Sequence, residues 1–450
     1  MPGLFRKIFF NESEITEKQY RNSRMFFIVE AMCSSPLATL VSGSYLAGLF
    51  CYLGASESLS SVIMSVVALA GLVQFVSPLV AERLHRRKLI STAFFSFFKL
   101  SLAFIMFTPM LFENKLVALA VAASLYLAGH FANAFVTPMY SVWLVSLLPE
   151  QVRGKYFGIK DAFTNISCAV LSYIGGMILD AYTKTGDQRM GFWGVGVLVL
   201  VLALINISCF LPVREPIIEE EKKKINLKDI FTKPFKNAQF RPVLVINILY
   251  QSALYLSTAF FAIFQVSRMG LSYELIGLTT CVNIGLRTLL SPVWGNIASK
   301  YSWFRSTRYS FLAWALSMFV YVFMTKENVL WMIWVATVIS AVAWAGIGLS
   351  LFGLQFDLAP KQNTSIYISC NSAMAGVVGF LSSLAGAAFI GFTNGYSFHI
   401  GSLEICDMQL LFIASTLISM LCIWYIRRLE KRMKRKKAEE RKVEEERVLV

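Results

Sequence analysis

Twelve stretches of this chain are apolar for about the 20 residues that a helix needs to cross a bilayer, and that feature leaves few folds open. They fall near residues 25–52, 58–80, 89–112, 116–147, 158–181 and 191–212, then near 242–267, 273–297, 307–325, 328–356, 364–393 and 405–427. Peptide groups find no water in hydrocarbon, so only helices and closed barrels span it, and these continuous runs lack the short alternation of barrel strands. The reading is an all-α polytopic membrane protein with 12 transmembrane helices. A composition of 56% hydrophobic and 15% charged residues agrees.

The most charged interior run, Pro212 to Arg241, separates six segments from six. The expected organisation is a cytoplasmic N-terminal segment (1–24), an N-terminal six-helix bundle (25–212), a cytoplasmic linker (213–241), a C-terminal six-helix bundle (242–427) and a charged cytoplasmic tail (428–450). A net charge of +15 suggests nucleic acid only until its 42 basic residues are located. Lys115, Lys184, Arg189, Arg268 and Lys326 lie on one side, Lys99 and Arg287 lie within spans, and the remainder lie on the other side. The bias persists in the short loops, which places both termini in the cytoplasm and the chain in the plasma (cell inner) membrane. No nucleic-acid partner is expected. The N-terminal residues are too charged and broken for a cleaved signal, although Leu4, Phe5, Ile8 and Phe9 suit a membrane surface. Of eight cysteines, Cys406 and Cys51 fall near an outer surface and none has metal-ligand spacing, so neither disulfide, metal nor cofactor is expected.

The two halves match in three places, in the same order. FCYLGASESL (50–59) parallels VSRMGLSYEL (266–275) through Gly54/Gly270, Ser56/Ser272 and Leu59/Leu275. Ser77-Pro78-Leu79 parallels Ser291-Pro292-Val293, and LPEQVRGKY (148–156) parallels APKQNTSIY (359–367) through Pro149/Pro360, Gln151/Gln362 and Tyr156/Tyr367. Near-constant offsets imply an internal duplication into two pseudo-symmetric six-helix bundles. With that architecture, PLVAERLHRRK (78–88) resembles the loop signature Gly-x-Leu-Ala-Asp-Arg-x-Gly-Arg-Arg of the major facilitator superfamily. Glu82 stands for the acid and Arg83, Arg86 and Arg87 for the bases, while Pro78 and His85 replace glycines. The second copy, GNIASKYSWFR (295–305), has Ser299 at the acidic position. The resemblance implies a cytoplasmic gate at Glu82, Arg83, Arg86 and Arg87, with Arg153 and Asp357 as further gating or capping residues. The alternative is that the bases only set topology.

An ionisable side chain at the bilayer centre costs about 2.5–3.5 kcal/mol on insertion scales, which makes embedded charges the first candidates for function. Arg287 sits mid-span on a stripe with Thr280, Asn283 and Ser291. It reads as an anion-binding or ion-pairing residue, or as a structural charge. Lys99 reads either way. Glu30 is the most embedded carboxylate and a proton-coupling candidate, against pairing with Arg24. The fourth segment aligns Tyr126, His130, Asn133, Thr137 and Tyr140 at helical spacing, and the resemblance implies that this line faces a central cavity. Asn247, Gln251 and Trp344 are further cavity candidates, against a reading as polar glue between helices.

The resemblance implies a secondary transporter that moves a small-molecule substrate by alternating access, ion (proton) coupled in its energetics and monomeric. One alternative is a multidrug or antibiotic efflux antiporter of the same fold, although LSYIGGMI keeps Gly175 and Gly176 without the Gly-Pro of that signature. Another is a non-transporting membrane sensor. No P-loop, HExxH or GxSxG motif occurs, which removes motif support for ATP-driven transport or hydrolysis. The partners expected are substrate, lipid bilayer and protons.

Overall fold

Thr16 opens the first helix with a capping box: its hydroxyl accepts the Gln19 N–H at 3.4 Å and the Gln19 side chain accepts the Thr16 N–H at 3.1 Å. From there the computed structural model describes residues 16–75, 88–148, 150–215, 227–360, 364–393, 396–400 and 403–448. The helices are α1 Glu17–Leu40, α2 Gly43–Tyr52, α3 Glu57–Ala70, α4 Lys88–Leu111, α5 Lys115–Ser146, α6 Glu150–Lys184 and α7 Gln188–Phe210. They continue as α8 Leu227–Lys236, α9 Arg241–Ile263, α10 Tyr273–Lys300, α11 Trp303–Val322, α12 Val329–Leu358, α13 Thr364–Thr393 and α14 Asp407–Val448. Each of the twelve expected segments carries helix. Among the described residues nine helices are long and apolar enough to span, or ten if α1 and α2 form one bent span.

Four details differ from the sequence expectation. The first segment is not one helix: α1 and α2 meet at 41°, because Ser42 is extended and Gly43 takes φ 51°. The linker contains α8, and α9 runs on into a π turn, Phe264–Arg268. Between α13 and α14 lies an antiparallel hairpin, β1 Ser397–Ile400 with β2 Leu403–Cys406, in an otherwise all-α chain. In the tail, expected only as a charged extension, Glu430 is buried and accepts Arg305 Nε at 3.2 Å and Arg308 Nη1 at 3.3 Å.

The helices gather into two compact units. One comprises residues 1–224, 258–285 and 379–394, and the other 225–257, 286–378 and 395–450. In the first, α1 packs on α6 and α7, and α4 on α5 and α7, around Leu37, Leu40, Leu102, Met106, Val195 and Val199. Side chains close the free helix ends that lipid would penalise. Arg24 donates to Leu147 O at 2.7 Å, and Lys88 donates to Leu211 O and Val213 O at 2.8 and 2.7 Å. In the second unit, α11 packs against α12 and α14, and Gln409 closes the end of α11 by donating to Val322 O and Met324 O.

The duplication read from sequence has a physical counterpart. Gly54 and Gly270 both take positive φ, 84° and 63°, and each precedes a serine that caps the next helix. Ser56 Oγ accepts Leu59 N–H at 3.1 Å, and Ser272 Oγ accepts Leu275 N–H at 3.2 Å. Tyr156 donates to Arg24 O near the start of α1 at 2.8 Å, and Tyr367 accepts Asn237 Nδ2 just before α9 at 3.3 Å. The Ser77-Pro78-Leu79 match lies outside the described residues. Equivalent turns carry equivalent strain: Gly54→Ala and Gly270→Ala should each cost about 1–2 kcal/mol for a forced left-handed residue, seen as similar drops in thermal unfolding midpoint of purified protein. A drop in only one variant would show that the turns are not equivalent.

Candidate functional site

The aromatic packing at one end of the first unit aims a single hydroxyl. Tyr140 of α5 lies edge-on to Phe27 of α1 and Phe95 of α4, with ring centroids 5.3 and 5.1 Å apart, and Phe210 and Trp143 complete the cluster. The phenol so fixed donates to Glu30 Oε2 at 2.7 Å. Asn206 of α7 donates its amide to Glu30 Oε1 at 3.1 Å and to the Glu30 carbonyl at 2.9 Å. One turn along α1, Ser34 Oγ accepts the ammonium of Lys99 from α4, and Lys99 and Glu30 interact electrostatically. Glu30 and Lys99 are 5% and 2% exposed, so neither charge relies on bulk water. Four helices thus converge on one carboxylate and one ammonium inside an apolar bundle.

Each group supplies what the others lack. An ionised carboxylate only accepts, and it receives two side-chain donors, while the lysine donates to a hydroxyl and is balanced by the carboxylate charge. Bonds to an ionised group contribute about 1.5–3 kcal/mol each. The duplication provides an internal control. Ile246 and Cys422 lie 216 residues beyond Glu30 and Asn206 respectively, and Cys422 Sγ points at the Ile246 carbonyl at 3.8 Å as Asn206 points at that of Glu30. The same helix contact is therefore made in the second unit without charge. The fold does not require the carboxylate.

Three sequence candidates, Glu30, Lys99 and Tyr140, come together here. The expected alternative for Glu30, pairing with Arg24, is not made: Arg24 Nε instead caps α5 at Leu147. Asn206 and Ser34 were missed, and an asparagine inside the apolar run 191–212 was the available signal. His130 lies beside the cluster with its ring 5.1 Å from Phe98 and 4.4 Å from Tyr126, an aromatic packing position. Asn133 is half-buried and its carbonyl accepts Thr137 Oγ.

In the second unit, Asn247 donates to Asn371 O at 2.8 Å and accepts from Gln251 at 3.3 Å, which ties α9 to α13 as polar glue. Trp344 stacks edge-on against Trp314 at 5.4 Å. Arg287 on α10 is exposed and, among the described residues, forms no hydrogen bond or ion pair; Asn283 precedes it by one turn and is half-buried. Asp357 is exposed at the end of α12. Glu82, Arg83, Arg86 and Arg87 lie outside the described residues, as does the side chain of Arg153. Among the described residues no cluster of His, Cys, Asp or Glu could hold a metal.

The sequence profile of the Major Facilitator Superfamily matches residues 25–383. The chain belongs to that superfamily. An uncharacterized MFS-type transporter of Methanocaldococcus jannaschii is 24% identical over 175 residues, a match that spans 37% of this chain and 42% of that relative's length. A crystal structure of the nucleoside transporter NupG superposes with a TM-score of 0.64 at 13% identity, covering 92% of this chain and 99% of that one. A bacterial homologue of the iron transporter ferroportin, in its inward-facing state, gives 0.63 at 12% identity, with 91% and 98% covered. A POT family transporter in complex with 5-aminolevulinic acid gives 0.61 at 13%, with 91% and 96% covered. At these identities the likeness concerns the fold, that of a multi-pass helical membrane protein.

Within this MFS chain the Glu30 contacts have a measurable energy. Tyr140→Phe should remove about 1.5–3 kcal/mol while Glu30 is ionised, and the same change on a Glu30→Gln background should cost less. Thermal unfolding of the four proteins of that double-mutant cycle reads the coupling; additive losses would mean that the hydroxyl acts independently of the carboxylate.

Proposed function

We propose that this protein is a secondary active transporter that moves a small solute by alternating access, with proton binding at Glu30 as the coupling step. The observation that carries this reading is the buried Glu30–Tyr140–Asn206–Lys99 cluster, present in one half of a duplication and replaced by Ile246 and Cys422 in the other. A buried charge pair costs a membrane bundle free energy that an apolar crossing does not, so its presence at one of the two crossings favours function.

The geometry suits a proton. When Glu30 is ionised, Tyr140 and Asn206 donate to its two oxygens. When Glu30 is protonated on Oε2, the new hydroxyl donates to the Tyr140 oxygen, the phenol turns its own hydrogen elsewhere, and Asn206 still donates to Oε1. Both states are then hydrogen-bonded, but their charge differs. Protonation leaves Lys99 as an uncompensated buried cation, a state costing several kcal/mol that admission of water or of an anionic solute relieves. Proton arrival thereby favours an open arrangement, and the reverse follows by linkage.

Arg287 is the second candidate for solute contact, since an exposed guanidinium that forms no hydrogen bond or ion pair among the described residues, on an apolar helix, suits an anionic or zwitterionic solute. The linker 213–241 tethers the two halves, and the gate residues Glu82, Arg83, Arg86, Arg87, Arg153 and Asp357 latch the cytoplasmic side. The protein works as a monomer in the plasma membrane with both termini cytoplasmic. The neighbours named above handle a nucleoside, iron and 5-aminolevulinic acid by their descriptions, so the shared fold selects no solute class.

Two experiments test the reading. Untargeted metabolite uptake and drug sensitivity in cells with and without the gene should first yield a transported solute. With that solute, liposomes of the variant carrying Glu30→Ile, Lys99→Met and Asn206→Cys, in which the first and last changes copy Ile246 and Cys422 and the second removes the charge left behind, should fold yet lose uptake driven by a proton gradient. Unchanged proton-driven uptake would refute the coupling role of Glu30. In parallel, Arg287→Ala should bind or move the solute at least about tenfold less well, the loss of one charge-assisted contact, and normal flux would sink its assignment.

A further inference from the structure

In the second unit, α11 and α14 carry arginines that have no part in the transport reading. The two helices run antiparallel: Glu430 meets Arg305 and Arg308 at one end, while at the other Gln409 donates to Val322 O and the Phe412 ring lies 5.7 Å from that of Tyr321. This register sets Arg308 level with Arg427 and Arg428, Tyr309 with Trp424, Leu312 with Leu421 and Leu316 with Leu417. All six of these uncharged side chains are exposed. On α11 the exposed positions 309, 312, 316 and 319 follow helical spacing, and on α14 so do 417, 421, 424 and 428. Each helix therefore turns an apolar stripe outward, and each stripe ends in an aromatic ring and arginine.

The guanidinium groups at these ends are held in place. Arg305 and Arg308 each give one N–H to the buried Glu430, at 3.2 and 3.3 Å. Arg308 also lies over the Tyr309 ring at 5.1 Å, Arg305 over Tyr301 at 5.5 Å and Arg428 over Trp424 at 5.3 Å. A ring beneath a guanidinium fixes its plane and leaves its N–H edge to donate, and each guanidinium has five such donors. Glu430 is the one acid within residues 300–316 and 420–433, so it cannot balance the bases around it. The arrangement is preorganised for a second anion.

The first unit meets the corresponding crossing differently. Lys88, at the start of α4, is buried and spends its ammonium on Leu211 O and Val213 O, just past the end of α7. At the offset that relates Glu30 to Ile246, Lys88 and Leu211 correspond to Phe304 and Arg427. There α14 does not end but runs on to Val448, so its carbonyls at that level serve its own helix. The bases of the second unit have no helix end to close. They stand outward instead, where the apolar stripes stop, among tyrosine and tryptophan of the kind that mark a bilayer interface. Arginine rather than lysine suits a phosphate, whose oxygens its planar fork can meet two at a time.

We propose that this end of α11 and α14 is a binding site for one anionic phospholipid, whose phosphate is held by Arg308 and Arg428 and whose acyl chains lie along Leu312, Leu316, Leu417 and Leu421. Charge complementarity selects the headgroup, and the apolar stripes that begin one turn below it select a lipid over a soluble anion. The site rests on the membrane-spanning fold alone and is independent of proton coupling at Glu30. With the tail cytoplasmic, as in the topology proposed above, the lipid belongs to the cytoplasmic leaflet, where basic pockets between helices meet anionic headgroups.

Fluorescence quenching of the purified full-length protein in phosphatidylcholine vesicles tests this without a known solute. Bromine on an acyl chain quenches a tryptophan only at contact, and the Trp424 signal is the difference between wild type and Trp424→Phe. Brominated phosphatidylglycerol should quench Trp424 at about a tenfold lower mole fraction than brominated phosphatidylcholine, the gain from one bond between charged partners. The preference should fall to near parity when Arg308→Gln and Arg428→Gln are combined. It should persist in Arg435→Gln, which removes a like charge about 10 Å further along α14. Equal quenching by the two lipids in wild type shows ordinary surrounding lipid and overturns the site, whether or not the double variant folds. An intact preference in the folded double variant overturns the assignment of the arginines. A preference lost to the same extent in Arg435→Gln shows diffuse attraction to the basic tail and overturns the site as well. Displacement of the brominated phosphatidylglycerol by inorganic phosphate shows a soluble-anion site and overturns the lipid.

Discussion

A carboxylate in hydrocarbon survives only where the protein replaces the water it lost, and at Glu30 this chain does so with groups from four helices of its first unit. Four helices must converge to supply a phenol, an amide, a hydroxyl and an ammonium, and each donor must itself be held. The aromatic cluster of Phe27, Phe95, Trp143 and Phe210 does the holding, because its edge-to-face contacts leave the Tyr140 ring little freedom. Packing and electrostatics are one problem here: a looser ring would leave a charge short of a donor, a defect of about 1–3 kcal/mol.

The architecture was legible because the bilayer removes choices. A run of about 20 apolar residues has one secondary structure available, so a series of membrane-spanning helices could be read directly. The Gly54/Gly270 and Ser56/Ser272 matches carried real stereochemistry, a left-handed turn followed by a hydroxyl cap. What resisted reading depended on backbone breaks. Hydropathy is blind to the bend between Leu40 and Gly43, since the residues on both sides are equally apolar, and the hairpin at 397–406 rests on pairing that no periodicity in so short a stretch announces.

The site was partly legible for a related reason. Glu30, Lys99 and Arg287 stand out because each is costly in an apolar run, and the cost is visible without knowing the partner. The partners are not visible in the same way. Asn206 and Ser34 are cheap residues in any transmembrane helix, and only the crossing of α7 over α1 makes them ligands of a charge. Sequence also could not separate Arg24 from Tyr140 as the partner of Glu30. Arg24 is nearer along α1, but its guanidinium is spent on the end of α5.

The contrast between the two halves bears on why the charge is asymmetric. A duplicated bundle inherits two copies of every helix crossing, and a crossing sealed by Ile246 and Cys422 packs as well as one sealed by Glu30 and Asn206. With the carboxylate–ammonium pair at only one of the two crossings, protonation under the proposed reading changes the energy of the first unit and leaves the Ile246–Cys422 crossing unaffected. A proton then shifts a conformational equilibrium only by its differential affinity for the two states at that one crossing.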